Sequence, residues 1–192
     1  MATTNWDRNK FLILVRHTAV SPNPNISAAE WPVSPAGRRS AIALSKKIKP
    51  FQPAAICTST ELKAYETGVL IAAELDLEAV TVPNLHEHER RNVPYFADKA
   101  KFESKVRTFF AQPNQLVLGN ETAEQARTRF QQAIDTLFGH YPTETVVVVT
   151  HGTVLSLFVK HHNPEIDLFT FWQSLALPDM VVLQRPLLNI CT

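Results

Sequence analysis

Apolar residues along the chain fall into two alternating patterns, short β-rich runs and stripes at helical spacing. Lys10 to Val15, Ala54 to Thr58, Ala79 to Val82, Thr145 to Thr150 and Met180 to Arg185 read as five strands. The first and fourth are continuous apolar runs, as suits strands buried on both faces of a mostly parallel sheet. Ser34-Pro35 resembles a cap and first helical residue, and Ala41, Leu44 and Ile48 then recur on one face until Pro50, which predicts a first helix. A second is predicted from about Leu62 to Leu75, with Ala64, Ile71 and Leu75 inward. Phe102, Val106, Phe109 and Phe110 stripe a third. Ala126, Phe130, Ala133, Ile134, Leu137 and Phe138 stripe a fourth behind a Thr122/Gln125 capping box, and a short apolar helix from Thr153 to about Lys160 follows the fourth strand. The order β-α-β-α-β-α-α-β-α-β predicts an α/β fold: one domain over residues 1–192, a three-layer α/β/α sandwich around a mostly parallel mixed sheet.

The chain carries no internal repeat and no low-complexity segment. Thr18 to Pro32 is polar and proline-rich, while Pro83 to Gly119 carries aromatics, paired basic residues and the third helix. Irregular stretches of this length inside a compact domain suit lids or specificity loops, so 83–119 is expected to be a cap or specificity insertion. Trp31, Tyr95 and Phe96 fit loop core and pocket lining equally well.

Composition narrows the class. With 45% hydrophobic and 19% charged residues the chain is not largely disordered. Nineteen Lys and Arg against eighteen Asp and Glu leave no global field for a nucleic acid or an anionic membrane, so any basic site must be local. The longest apolar runs fall far short of the ~20 residues that cross a bilayer. Met1 to Lys10 lacks the apolar stretch of a secretory signal. Cys57 and Cys191 alone make neither a disulfide framework nor a four-ligand zinc site. A cytoplasmic protein is the expectation.

In open α/β sheets, ligands bind beyond the carboxyl ends of the strands. The first strand ends in Arg16-His17-Thr18, the second runs into Thr58-Ser59 and then Lys63, and the fourth ends in Thr150-His151-Gly152. The fold would therefore gather two histidines, an arginine and a lysine at one edge. Such groups repel one another unless an anion sits among them, and a phosphate would satisfy them all through charge-assisted hydrogen bonds. The helix that begins at Gly152 and Thr153 offers free backbone N–H groups to the same phosphate, and the missing side chain at Gly152 lets a ligand come close.

Two other readings use neighbouring residues. His86-x-His88 with His161 and His162 would be a metal site, but a two-residue motif recurs by chance and the later pair sits where histidines favour a helix C-terminus. Cys57 lies six positions before Lys63, near the Cys-x5-Arg loop of cysteine-dependent phosphatases. The lysine, the lack of an intervening glycine and the apolar Ile56 argue instead for a buried strand residue. Arg90 and Arg91 fit surface charge and substrate contact equally.

These residues, in order, resemble the histidine phosphatase superfamily, also called phosphoglycerate mutase-like. Leu14-Val15-Arg16-His17-Thr18 is similar to its strand followed by Arg-His-Gly or Arg-His-Ala, and Val33-Ser34-Pro35-Ala36-Gly37-Arg38 to its Leu-Thr/Ser-x-x-Gly-Arg. Thr58 to Thr67 resembles Ser-Ser-x-Leu-x-Arg-Ala-x-Glu-Thr, and Leu85-His86-Glu87 resembles its Leu-x-Glu acid motif. Gly119-Asn120-Glu121-Thr122 looks like Gly-x-Glu-Ser/Thr, and Val149-Thr150-His151-Gly152-Thr153 like Val-Ser-His-Gly-Gly. Three positions depart: Lys63 replaces a phosphate-binding arginine and its planar fork, Thr18 replaces a small residue, and His88-Glu89-Arg90-Arg91 replaces a glycine-rich turn.

The resemblance implies a phosphoglycerate mutase-like fold and a metal-independent phosphohydrolase with no cofactor. It implies His17 as nucleophile through a phosphohistidine, His151 as catalytic partner, and Arg16, Lys63, His151 and Gly152 as phosphate-binding residues. It also implies a carboxylic acid for the leaving alcohol, its pKa raised by burial or by the substrate's charge. Spacing does not choose between Glu87 and Glu89, but the Leu-x-Glu pattern favours Glu87 and leaves Glu89, Arg90 and Arg91 to pair at the loop surface. The short insert after Glu87 favours a phosphatase over a mutase-type phosphotransferase. Lys63 keeps open a non-catalytic phospho-ligand binding module. The expected partner is a phosphorylated small molecule or a phosphorylated peptide.

Overall fold

The computed structural model describes residues 10–90, 93, 96 and 98–191; Arg91 and Tyr95 lie outside the described residues. Six strands, β1 (Phe11–Arg16), β2 (Ala55–Thr58), β3 (Ala79–Thr81), β4 (Val146–Thr150), β5 (Asp179–Gln184) and β6 (Asn189–Ile190), form one sheet in the order β3-β2-β4-β1-β5-β6. The first four run parallel, whereas β5 and β6 pair antiparallel on the β1 side. The mostly parallel mixed sheet is as expected.

β4 is buried throughout and β1 all but its last residue, because period-two alternation sends their side chains into two separate cores. Phe11, Ile13, Val15, Val147 and Val149 pack beneath α1 (Pro35–Ile48) and α2 (Leu62–Glu74). Leu12, Leu14, Val146 and Val148 pack beneath α3 (Lys99–Ala111), α4 (Ala123–His140), α5 (Gly152–His162) and α6 (Leu168–Ser174). Helices on both faces make the third layer, and each fully buried large side chain such as Phe130 or Phe158 contributes about 1.5–3 kcal/mol.

The predicted caps form: Ser34 Oγ accepts from Gly37 N, and Thr122 and Gln125 satisfy each other's backbone. Pro50 does not end the first helical segment abruptly. It falls in the first turn of a 3-10 helix, Lys49–Phe51, where its missing N–H has no partner to lose. Two elements are absent from the sequence pattern. α6 has only seven residues and buries Phe169 and Trp172, and β6 has two residues, both too short for a periodic signal.

One glycine fixes the segment after β1. A Cβ on Gly37 would meet Ala19 O at 2.2 Å and Thr18 Cγ2 at 3.0 Å. Thr18 Oγ1 donates to Gly37 O at 2.9 Å, while Ser34 N and Oγ donate to Ala19 O at 2.9 and 3.1 Å. The start of α1 thus straps down the chain that follows His17. Gly37→Ala should cost about 1–3 kcal/mol by forcing backbone apart, read as a lower midpoint in urea unfolding. A wild-type midpoint would show that residues 18–19 yield freely.

Candidate active site

Strand register brings three loops out of the sheet at one level. Arg16 faces Thr150 across the β1–β4 ladder and Thr58 faces Val149 across β2–β4. One rung further on, His17 N donates to Thr150 O and Ser59 N to Val149 O, both at 2.9 Å. The rings of His17 and His151 end with centroids 5.3 Å apart, as the sequence predicts for residues at adjacent carboxyl ends.

His17 is held neutral with one nitrogen free. Its Nδ1 lies 2.8 Å from Thr18 O, and since a carbonyl only accepts, Nδ1 carries the proton and Nε2 keeps its lone pair. Burial, then the nearby Lys63 ammonium, pushes the ring's pKa down to about 4, opposed in part by the Thr18 carbonyl.

His151 is fully buried, and burial followed by the charge of Lys63 holds its pKa well below the usual range. Its Nε2 lies 2.8 Å from Ser59 Oγ, and its buried Nδ1 has no partner among the described residues. Ser59 Oγ also accepts from Glu61 N at 3.2 Å, which ties the ring to the start of α2.

Lys63 does not point to solvent. Its Nζ donates to Glu61 Oε2 at 2.5 Å and to Ala28 O at 2.8 Å. An ammonium has three donors, so one remains for a ligand oxygen. Glu61 in turn accepts Glu87 N at 2.8 Å and stands 3.7 Å from His151 Nε2; its pKa is lowered by Lys63 in spite of burial, which acts to raise it.

Arg16 Nη1 donates to Leu175 O at 2.6 Å, just past α6, and its buried Nε has no partner among the described residues. The missing side chain at Gly152 leaves space for this guanidinium. A Cβ there would sit 3.2 Å from Arg16 Nε and 3.5 Å from Trp172 Nε1.

The N-terminus of α5 is engaged in part by a protein carboxylate. Glu87 Oε2 accepts from Thr153 N and Oε1 from Val154 N, both at 3.2 Å, so of the Gly152 and Thr153 N–H groups expected to receive phosphate this carboxylate takes that of Thr153. Oε1 also accepts His88 N at 2.9 Å. The expectation of a raised pKa is overturned for the free site. Burial acts to raise it, but Arg90, then His151 and the His88 backbone N–H, prevail and bring Glu87 down to about 2.

Arg90 turns inward and does not merely pair at the loop surface. Its Cζ stands 4.9 Å from the Phe102 centroid, and its buried Nη1 has no partner among the described residues. A cleft of about 1590 Å³ is lined by Glu61, Lys63, Glu87 and Arg90, with Trp31 and Phe96 also bordering it. Glu89 borders the same cleft, but its backbone N is committed to Glu121. His88 stacks on Phe109 and bonds Leu118 O, while His162 pairs with Gln131, so both serve packing. Cys57 is a buried strand residue with its thiol pushed up to about 11 by burial.

Ser59 and Glu61 were not legible as site residues. A serine at a strand end and an acid before a helix are ordinary preferences, and only the fold turns Glu61 toward Lys63 and the Glu87 loop.

A doubly covered, mostly parallel sheet with histidines and cations gathered at its carboxyl edge defines an α/β class with its polar site beyond the strand ends. The chain belongs to the histidine phosphatase superfamily, branch 1, whose family model matches residues 12–180. It is 28% identical over 154 residues to a metal-independent phosphoserine phosphatase of Arabidopsis thaliana, a match that covers 75% of the chain and 65% of that relative, just under two thirds of its length. Among solved structures it shares its fold with Bacillus stearothermophilus YhfR, at 20% identity and a TM-score of 0.74 over 95% of each chain. It likewise resembles a phosphoserine phosphatase from Entamoeba histolytica, solved with 3-phosphoglyceric acid, at 16% identity and a TM-score of 0.71 over 90% of this chain and 89% of that one. No helix among the described residues is long and apolar enough to cross a membrane.

The state of His17 can be measured. Long-range ¹H–¹⁵N correlation spectra should show an Nδ1–H tautomer titrating near pH 4 instead of the ordinary 6.5. Because the folded pKa lies below the unfolded value, His17's share of stability is full above pH 6.5 and falls as the pH drops toward 4. A midpoint near 6.5 would refute the desolvated pocket.

Proposed function

We propose that the chain is a metal-independent phosphomonoesterase acting through a phosphohistidine on His17. The observation that carries this reading is a neutral imidazole whose Nδ1 is committed to Thr18 O, leaving Nε2 as a nucleophile close to the charges of Lys63 and Arg16. In the first step His17 Nε2 attacks phosphorus and the bond from phosphorus to the ester oxygen breaks. Arg16, Lys63 and the unpartnered nitrogens of His151 and Arg90 stabilise the equatorial oxygens. Glu87 protonates the departing alcohol. It is ionised in the free site, so its proton arrives with a monoanionic substrate, whose negative charge raises the carboxyl's pKa. Water then attacks the phosphohistidine, Glu87 takes a proton from it, and the bond from phosphorus to nitrogen breaks to release phosphate.

A small phosphorylated metabolite is the substrate class that the relatives' names support. The Arabidopsis relative is named for phosphoserine, and the Entamoeba neighbour was solved with 3-phosphoglyceric acid. Release of phosphate from a panel of phosphorylated metabolites and p-nitrophenyl phosphate tests the reading. Activity should survive EDTA, His17→Ala should abolish it, and acid quenching of the wild type should trap an acid-labile phosphoenzyme. Full activity in His17→Ala would overturn the assignment.

Lys63 carries a second expectation. Lys63→Ala should cost roughly 2–4 kcal/mol of transition-state stabilisation, comparable to one lost oxyanion donor. It should also raise the His17 titration midpoint, because Lys63 is the charge that depresses it most. Lys63→Arg should retain activity by restoring a fork. Wild-type kinetics together with an unmoved midpoint in Lys63→Ala would remove it from the pocket.

A further inference from the structure

We infer that Arg129 and Glu121 form the positioning device for Glu87, an ion pair through which α4 fixes the backbone of residues 84–89 and thereby aims the general acid. The inference rests on the reading of Glu87 given above. Neither residue lines the cleft; both act through the loop.

The pair is a fork on a fork. Arg129 Nη2 lies 2.6 Å from Glu121 Oε1 and its Nε lies 3.2 Å from Oε2, a bidentate geometry. Its remaining donors reach the loop: Nη1 to Asn84 O at 2.8 Å and His86 O at 3.1 Å, Nη2 to Glu87 O at 3.3 Å. Glu121 Oε1 takes Glu89 N at 2.8 Å, and Asn120 N donates to Glu89 O at 2.7 Å. The backbone is therefore held on both sides of Glu87 by two partly buried side chains, 15% and 13% exposed.

The chain is shaped for this contact. Gly119 has φ of +82°, and a Cβ on it would meet Glu89 O at 2.2 Å, so only glycine lets 119–121 run against 89–90. The Gly119 to Thr122 motif, unassigned from sequence, acquires a role: its glycine admits the loop and its glutamate orients the arginine. An exposed pair of this kind would be worth little, but an arginine that satisfies three carbonyls while bound to a carboxylate constrains a loop strongly. Opposite it, α5 grips the Glu87 carboxylate and Glu61 grips its amide. Loss of the pair leaves the carboxylate attached to α5 on a backbone free to shift, and small misplacements of a proton donor are costly.

The test is a ratio that only proton delivery moves. The values of kcat/KM for the best alkyl phosphate of the panel and for p-nitrophenyl phosphate, whose leaving group hardly needs a proton, are measured in one preparation, so the folded fraction cancels. In Glu87→Gln the alkyl-to-aryl ratio should fall about 100-fold or more. In Arg129→Ala and in the nearly isosteric Glu121→Gln it should fall about 10- to 100-fold. If Arg129→Ala does not fold, Glu121→Gln alone decides. A ratio that falls in Glu87→Gln but is unchanged in the pair variants means a purely structural tie and overturns the inference. A ratio unchanged in Glu87→Gln overturns the acid assignment and the inference with it, and absence of wild-type turnover overturns both along with the phosphatase reading.

Discussion

The Lys63 ammonium, 7% exposed beside two histidines, is the constraint around which the pocket is organised. A cation taken out of water must be paired, and Glu61 pairs it while still leaving it one free donor. Its charge, added to burial, keeps His17 and His151 neutral. Without a buried cation, both rings would titrate nearer their ordinary range, and a protonated imidazole has no lone pair to offer.

The pocket's cations are balanced by its own carboxylates. Glu61 engages Lys63, Glu87 engages the N-terminus of α5 and faces Arg90, and the charges of Glu87 and Asp179 act on Arg16, so each strong positive feature has a carboxylate near it. An incoming phosphate would therefore compete with protein carboxylates, and its negative charge would act on Glu87 in the direction that favours protonation. On the proposed reading of Glu87, binding and arming of the acid would be one electrostatic event.

Elements distant in sequence supply the precision. Leu175, after α6, takes the Arg16 guanidinium, Gly152 leaves it space, and Trp172 closes the same corner. α4 holds the Glu87 loop from below. These contacts explain why a fold of parallel strands, whose carboxyl ends only bring loops together, needs peripheral helices to set angles and distances within the site.

Periodicity by itself determined the parallel core, the two helical layers and the caps, because buried strands and amphipathic helices write their repeats directly into the order of apolar residues. It also placed Arg16, His17, Lys63 and His151 at one edge, since strand ends are local features and the carboxyl-edge rule is general. α6 and β6 were illegible, being shorter than any repeat that could reveal them. Only the tertiary structure decided that Glu61 partners Lys63, that Glu87 accepts the Thr153 and Val154 N–H groups of α5, and that Arg90 faces inward. Those choices depend on which charges meet after burial, and electrostatic pairing between segments far apart in the chain leaves no periodic trace in the sequence.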